Sequence, residues 1–322
     1  MKRILSGVQP SGKPHLGNYL GAMRQHIEMQ KEHEAFLFIA DLHALTTVRD
    51  PELMRSQTFD LAISYLALGL DPEKTVFFKQ SDISEHTELC WIFDCITQMP
   101  FVERAHAWKD AQAKGKKEIS VGLFNYPILQ AADILLYQPD LVPVGQDQKQ
   151  HIEMTRDIAQ NFNNIFKETF KLPEAHIKKT VAIIPGTDGQ KMSKSYGNTI
   201  EIFAEESVLK KQVMSIVTDS TPVEDPKDPE KCNVFTLYKL LATESETKDL
   251  EKKYKVGGMG YGDAKKALLA KILEHFTEAR KKYDELKNKE DYVYEVLENG
   301  AKRAKEVATK TLDKVKTHIG YK

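Results

Sequence analysis

Arg3-Ile4-Leu5-Ser6-Gly7-Val8-Gln9-Pro10-Ser11-Gly12-Lys13-Pro14-His15-Leu16-Gly17-Asn18 decides the fold. A short apolar run ends in a glycine-rich turn and passes into an amphipathic stretch, the strand–turn–helix unit of parallel α/β sheets, whose turn is a ligand position. Gly7 and Gly12 allow a tight turn, and Gly17 leaves room for a flat purine. The helix N-terminus presents free N–H groups and the positive end of a dipole. His15 and Asn18, three apart on one helical face, both offer donors to phosphate oxygens. The segment therefore reads as a nucleotide site, the competing reading being a glycine-rich turn before a surface helix.

The same alternation continues outward from this segment. Strand-like runs occur at residues 3–6, 35–40, 75–80, 141–145 and 181–185, separated by helix-like stretches at 16–32, 51–70, 86–97, 122–137 and 147–166. Asp50 before Pro51 is a capping carboxylate ahead of a helix-starting proline. The pattern predicts a doubly wound, Rossmann-like α/β sheet. Residues 98–120 contain Pro100 and the run Ala111-Gln112-Ala113-Lys114-Gly115-Lys116-Lys117, lack periodicity and predict a mobile loop. After Ser195 the strand signal stops, and helices are predicted at 205–216, 233–241, 264–287 and 291–317, with 225–229 a proline-fixed connector. This shift predicts a catalytic domain over 1–195 and an all-helical C-terminal domain over 196–322.

Composition sets limits. The 322 residues suit a large domain plus a smaller one, and 46 Lys and Arg against 47 Asp and Glu give a formal charge of −1. No global positive field draws nucleic acid, so RNA binding has to be local. No stretch reads as a signal h-region or a membrane span, which predicts a cytoplasmic protein with no membrane partner. Cys90, Cys95 and Cys232 are too few for a disulfide framework or a zinc knuckle, so they read as reduced thiols without a structural metal.

A second motif, Pro185-Gly186-Thr187-Asp188-Gly189-Gln190-Lys191-Met192-Ser193-Lys194-Ser195, follows the last predicted strand. Its lysines and serines on a glycine-flanked loop can swing over a polyphosphate, Lys191 and Lys194 neutralising charge as the leaving group separates. A solvated lysine loop is the alternative. His15-Leu16-Gly17-Asn18 resembles the first signature of class I aminoacyl-tRNA synthetases, and Lys191-Met192-Ser193-Lys194-Ser195 is identical to their second. Asn18 replaces the first signature's final histidine, a variant found in tryptophan enzymes. The resemblance extends over the whole chain.

Asp133, in Ala131-Ala132-Asp133-Ile134-Leu135-Leu136-Tyr137, is a lone carboxylate in an apolar helix and needs a donor. An indole N–H is a donor only and fits it; an N-cap role or an internal arginine partner is the alternative. The stretch Leu141-Val142-Pro143-Val144-Gly145-Gln146-Asp147-Gln148-Lys149-Gln150-His151 is another strand end. Gly145 permits close ribose approach, Asp147 can accept from ribose hydroxyls, and Gln148 with Tyr126 can hold an amino group.

This stretch is similar to that of bacterial tryptophanyl-tRNA synthetases, in which Asp133 would read the indole nitrogen. The resemblance implies ATP contacts from Gln9, Pro10, Ser11, Gly17, Asn18, Gly145, Gln146, Asp147 and Ile184, and from Lys191, Met192, Ser193, Lys194 and Ser195. It implies tryptophan contacts from Gly7, Gln9, Tyr126, Asp133 and Gln148. Its activity would be formation of tryptophanyl-adenylate from L-tryptophan and ATP with Mg²⁺, then transfer to tRNA(Trp), by a homodimer whose C-terminal helical domain binds the anticodon. His15, Asn18, Lys191 and Lys194 would carry the catalysis. The chain departs from the family pattern around Pro100-Phe101-Val102-Glu103-Arg104-Ala105-His106-Ala107-Trp108-Lys109, leaving open which of Lys109, Lys114, Lys116 and Lys117 meets the triphosphate and how His106 is used.

Other residues carry open readings. Lys302, Arg303, Lys305, Lys310, Lys314 and Lys316 make a local basic face on the last helix, or only a solvated one. His43 lies at a strand end facing the likely ligand, as a site residue or a structural one. Trp91 and Trp108 read as core or interface packing. Three rivals stand beside the tryptophan reading: a tyrosine enzyme of the same family, a non-catalytic RNA-binding relative that keeps the fold, and a small-molecule nucleotidylyltransferase.

Overall fold

Residues of the opening run form the central strand of a five-stranded parallel sheet. Its order is β3 (Thr75–Lys79), β2 (Glu34–Ile39), β1 (Arg3–Val8), β4 (Leu141–Pro143), β5 (Glu174–His176). β1 pairs with β2 along its whole length, from Arg3 opposite Glu34 to Val8 opposite Ile39, and with β4 through Ile4 and Leu141. The strand order reverses between β1 and β4, the switch point of a doubly wound sheet, and both glycine-bearing turns follow these two strands. The computed structural model describes residues 1–105, 108–109, 119–177 and 184–322, apart from the side chain of Asp147.

The fifth described strand is Glu174–His176, and of the expected run at 181–185 only Ile184 and Pro185 are described. Residues 181–183 lie outside the described set, and Pro185 makes an isolated antiparallel bridge with Lys191. The observed strand, Glu174-Ala175-His176, holds a single apolar residue and joins β4 through its backbone, so it has no hydrophobic signature to read. The expected helix over 16–32 is divided into Leu16–Asn18, a π-helical segment Tyr19–Met23 and Arg24–Met29. The expected helix over 264–287 is likewise two, Tyr261–His275 and Thr277–Leu286, separated at the buried Phe276. A further helix, Glu244–Val256, falls where none is predicted; it buries only Leu250 and Tyr254, and its start is fixed by a capping box of Thr243 and Glu246.

Two compact units result. The first comprises Met1–Gly12, His26–Lys178 and Lys289–Lys322, the second Lys13–Gln25 and Lys179–Asn288. These units do not follow one cut near residue 195, because the last helix, Glu290–His318, packs on β3. Its buried stripe of Val293, Leu297, Ala301, Ala304, Ala308, Leu312 and Val315 recurs at helical spacing. Gly300 approaches the Phe77 backbone so closely that a methyl group there would overlap it. Polar contacts reinforce the packing: Arg303 donates to the Pro72 carbonyl at 2.9 Å, Thr309 to Glu85 at 2.7 Å, and Lys316 pairs with Glu88 at 2.6 Å. Part of the basic face read from sequence is therefore used within the first unit.

The second unit is helical. Its connector is fixed by Lys227, only 5% exposed, whose ammonium donates to the carbonyls of Pro222 and Asp225 at 2.7 and 3.1 Å and lies 5.4 Å from the Tyr261 ring centroid. With the Val223 carbonyl at 3.4 Å, these contacts and a π face replace the water that a buried ammonium loses.

In the first unit His26 joins Ser6 on β1 to Tyr65 on the Pro51–Ala67 helix, at 3.0 and 2.9 Å. Burial lowers His26 to about 4. The unfolded chain takes up this proton near pH 6.5, so the stabilisation is complete above that value and is lost as pH falls toward the folded one. The first unit is expected to lose about 2 kcal/mol of unfolding free energy between pH 7 and 4.5 from this group, read by urea unfolding. His26→Gln should remove that share of the pH slope; an unchanged slope would sink the assignment.

Candidate active site

Asp133 sits within the Val121–Leu136 helix and is 1% exposed. An ionised carboxylate so placed destabilises the fold by several kcal/mol unless donors surround it. Three do. His43 Nε2 donates to Oδ2 at 2.8 Å, His86 Nδ1 to Oδ1 at 2.6 Å, and Gln80 Nε2 bridges both oxygens at 2.8 and 2.9 Å. The oxygen of Gln80 accepts the backbone N–H groups of Leu42 and His43 at 3.1 and 3.4 Å, tying the end of β3 to the Asp41–Ala44 helix. His86 Nε2 accepts from the Tyr137 hydroxyl at 2.9 Å. Burial pushes the Asp133 carboxyl up, but the charge and hydrogen bonds of His86 and His43 outweigh it and hold the group at about 2. The network is therefore built around a carboxylate ionised at every physiological pH.

Two turns earlier on the same helix face stands Tyr126. Its hydroxyl lies 2.8 Å from His151 Nε2, and His151 Nδ1 lies 3.0 Å from Gln148 Oε1. The Tyr126 ring also meets His43 edge-on, with centroids 6.1 Å apart. Tyr126, Gln148 and Asp133, proposed separately from sequence, thus belong to one neighbourhood linked by His151 and His43. Gly145 and Gln146 are exposed in the turn after β4; the Asp147 side chain lies outside the described residues. Gln9 and Ser11 are exposed and Pro10 buried, while a methyl group on Gly7 would strike the Phe38 ring.

Within the second unit the two phosphate motifs pack on each other. Asn18 N–H donates to His15 Nδ1 at 3.2 Å, and His15 N–H donates to Asn18 Oδ1 at 3.1 Å, a reciprocal cap. The imidazole hydrogen is therefore on Nε2. Burial, then the neighbouring Lys194 charge, lowers His15 to about 4, so it is a neutral donor at pH 7. Gly17 N–H faces Met192 Sδ at 3.2 Å, and a Cβ on Gly17 would come within 2.9 Å of His15 Nδ1 and 3.3 Å of Met192 Cβ. The bare Cα thus serves this packing, a role not read from sequence.

Asn198 organises the lysine loop. Its Nδ2 donates to Asp188 Oδ1 at 2.7 Å and to the Lys191 carbonyl at 3.1 Å, and its Oδ1 accepts Ser193 N–H at 2.8 Å. Met192 N–H donates to the Ile184 carbonyl at 2.8 Å, and Ser193 and Ser195 hydroxyls lie 2.8 Å apart. Met192 and Ile184 are buried, while Lys191, Lys194 and Ser195 are exposed. The apolar residues anchor the loop and leave its polar ones at the surface.

Residues 1–277 match the family model described as tRNA synthetases class I (W and Y). A tryptophan–tRNA ligase of Rhodopirellula baltica is 52% identical over 99% of this chain and all of its own length. One from Fusobacterium nucleatum is 51% identical over 99% of this chain and 98% of its own. The crystal structure of the Campylobacter jejuni tryptophanyl-tRNA synthetase complexed with ADP and tryptophan superposes with a TM-score of 0.94, at 49% identity, covering 99% of both chains. The chain belongs to the bacterial-type tryptophanyl-tRNA synthetases. A tyrosyl-tRNA synthetase from Archaeoglobus fulgidus, at 21% identity and a TM-score of 0.66, shares the fold.

In this synthetase several site neighbours escaped sequence reasoning. Gln80, His86, His151 and Asn198 were unassigned, because polar residues at strand ends and helix starts are ordinary there; the sequence signal was the number of histidines around two strand ends. His43, open between two readings, touches the candidate carboxylate. His106, Lys114, Lys116 and Lys117 lie outside the described residues, and of the loop over 98–120 the Met99–Val102 segment is helical. Trp108 packs edge-on against Phe124 at 4.8 Å, whereas Trp91 is 67% exposed and is not core. Among the described residues no helix is long and apolar enough to cross a membrane.

Proposed function

We propose that the chain activates L-tryptophan with ATP, releasing pyrophosphate, and transfers the tryptophanyl group to the 3′ end of tRNA(Trp). Support comes above all from the donor and acceptor balance at Asp133. The carboxylate accepts from His43, His86 and the bridging Gln80, so every named protein contact to it is a donor. These three side chains direct their donors at the carboxylate, so Asp133 offers a ligand an acceptor and not a donor. An indole N–H, which donates and cannot accept, suits that balance better than a phenol hydroxyl, which does both.

In this reading Asp133 takes the indole N–H, Tyr126 and Gln148 take the amino group, and Gly7 and Gln9 line the same site. The substrate carboxylate attacks the α-phosphorus of ATP directly and needs no base, since it is ionised at neutral pH. Orientation and charge stabilisation then carry the step. His15 Nε2–H and Asn18 donate to phosphate oxygens, and Lys191 and Lys194 neutralise the departing pyrophosphate. Met192, Ser193 and Ser195 shape that loop, with Ile184 and Gly17 beside adenine and Gln9, Pro10, Ser11, Gly145, Gln146 and Asp147 toward the nucleoside. Mg²⁺ enters with ATP as part of the substrate.

A homodimer using the apolar surface around Trp91, anticodon binding by the helical region over 196–322, and a cytoplasmic location complete the proposal. ATP–pyrophosphate exchange with each of the twenty amino acids tests it. Tryptophan is expected to support exchange at least about 10²-fold better than tyrosine, the scale on which a hydrogen-bonding pocket separates substrates. Exchange with tyrosine and none with tryptophan would overturn it.

A further inference from the structure

We propose that Arg280 is a positioning residue for the activation step, holding the backbone of His15 in register through the segment 198–204. The proposal rests on the reading that His15 donates to a phosphate oxygen of ATP. All the residues concerned lie in the second unit. Leu16 N–H donates to the Ile200 carbonyl at 2.8 Å and Ile202 N–H to the Pro14 carbonyl at 3.4 Å, so that His15 faces Glu201 in an isolated antiparallel bridge. A bridge of two hydrogen bonds, one of them long, has little stability of its own. The register of His15 therefore depends on what holds residues 200–204.

Arg280 does this from the Thr277–Leu286 helix. Its two terminal nitrogens donate to the Ile202 carbonyl at 2.6 Å and to the Ala204 carbonyl at 2.7 Å. Ile202 is thus held on both sides, its N–H by Pro14 and its C=O by Arg280. Between the two carbonyls the Phe203 ring lies nearly parallel to Tyr283 of the same helix, with centroids 4.1 Å apart, and Gln212 accepts Glu201 N–H at 2.9 Å. The side chains of Ile200 and Ile202 are fully buried, which decides the face of the segment that turns inward. Apolar burial is non-directional and does not stop the segment from sliding; a rigid guanidinium fork spanning two carbonyls does, and an ammonium cannot copy it. At the other end Asn198 ties the segment to the lysine loop through Ser193 and Lys191. Loosening the grip at residues 202–204 thus leaves the lysine loop held and shifts His15 against it. Activation by alignment is sensitive to such a shift, a misplacement of about 1 Å being able to lower the rate by about 10²-fold.

The test is ATP–pyrophosphate exchange with tryptophan, measured well below every melting temperature so that all variants are folded. Arg280→Met is expected to lower kcat about tenfold while the KM for tryptophan stays within about twofold. Arg280→Lys keeps the charge and one donor and should give a smaller loss of the same kind, which carries the test if Arg280→Met does not fold. Leu250→Ala, a buried change on the Glu244–Val256 helix, should lower the melting temperature yet leave kcat within about twofold of wild type. In a His15→Ala background, Arg280→Met should lower kcat by less than about threefold more, because two residues acting through one contact are not additive. Overturning results would be an undiminished kcat in Arg280→Met and Arg280→Lys, an equal loss in Leu250→Ala, or the full loss on top of His15→Ala. Undiminished exchange in His15→Ala alone would instead refute the phosphate reading beneath the proposal.

Discussion

Replacing Lys194 with alanine is expected to lower tryptophan-dependent ATP–pyrophosphate exchange by about 10²- to 10³-fold, the range for losing one preorganised charge at a developing oxyanion. The loop holding it is fixed at both ends. Met192 is buried beneath Gly17, Asn198 binds the Ser193 N–H and the Lys191 carbonyl, and Gly197 ends the Lys194–Tyr196 turn at φ 66°, a left-handed conformation that favours glycine. The alanine variant should keep this backbone, so the deficit falls on the chemical step. The KM for tryptophan, whose proposed contacts all lie in the first unit, should move by less than about threefold, since binding common to ground and transition states is untouched. Exchange within about threefold of wild type would remove Lys194 from the mechanism.

Asp133→Asn should raise the KM for tryptophan by about 10²-fold, with a melting temperature lowered as well. The amide oxygen can accept, but the amide N–H₂ group must face His43, His86 or Gln80, each already presenting a hydrogen. Hydrogen bonds to a charged group contribute about 1.5–3 kcal/mol each, so losing the charge weakens the ligand contact and the network together. Discrimination against phenylalanine, which brings no donor to this carboxylate, should shrink in parallel. A KM within threefold of wild type would show that the carboxylate serves the fold alone.

Legibility in the sequence followed locality. β1 to β3 were readable because each is an apolar run bounded by turn residues, and both signature segments because their chemistry lies within a few consecutive residues. Asp133 stood out as a carboxylate without a local partner. Its partners did not, since His43, Gln80 and His86 lie 90, 53 and 47 residues away in the chain. β5 was invisible because Ala175 is its one apolar residue, and the halves of the 264–287 stretch ran together because Phe276 fits the apolar period on both sides of the break. The close approach of the last helix to β3 needs the absent side chain at Gly300, which an amphipathic pattern does not reveal.

That last helix also imposes an order on how the protein is made. The sheet leaves the ribosome first, yet the face of β3 stays uncovered until residues 290–318 follow. Every residue of the second unit has emerged by then. The unit that starts later in translation can thus close earlier, and the nascent sheet must be kept from sticking to its neighbours, by chaperones or by speed, until the end of the chain arrives to cover it.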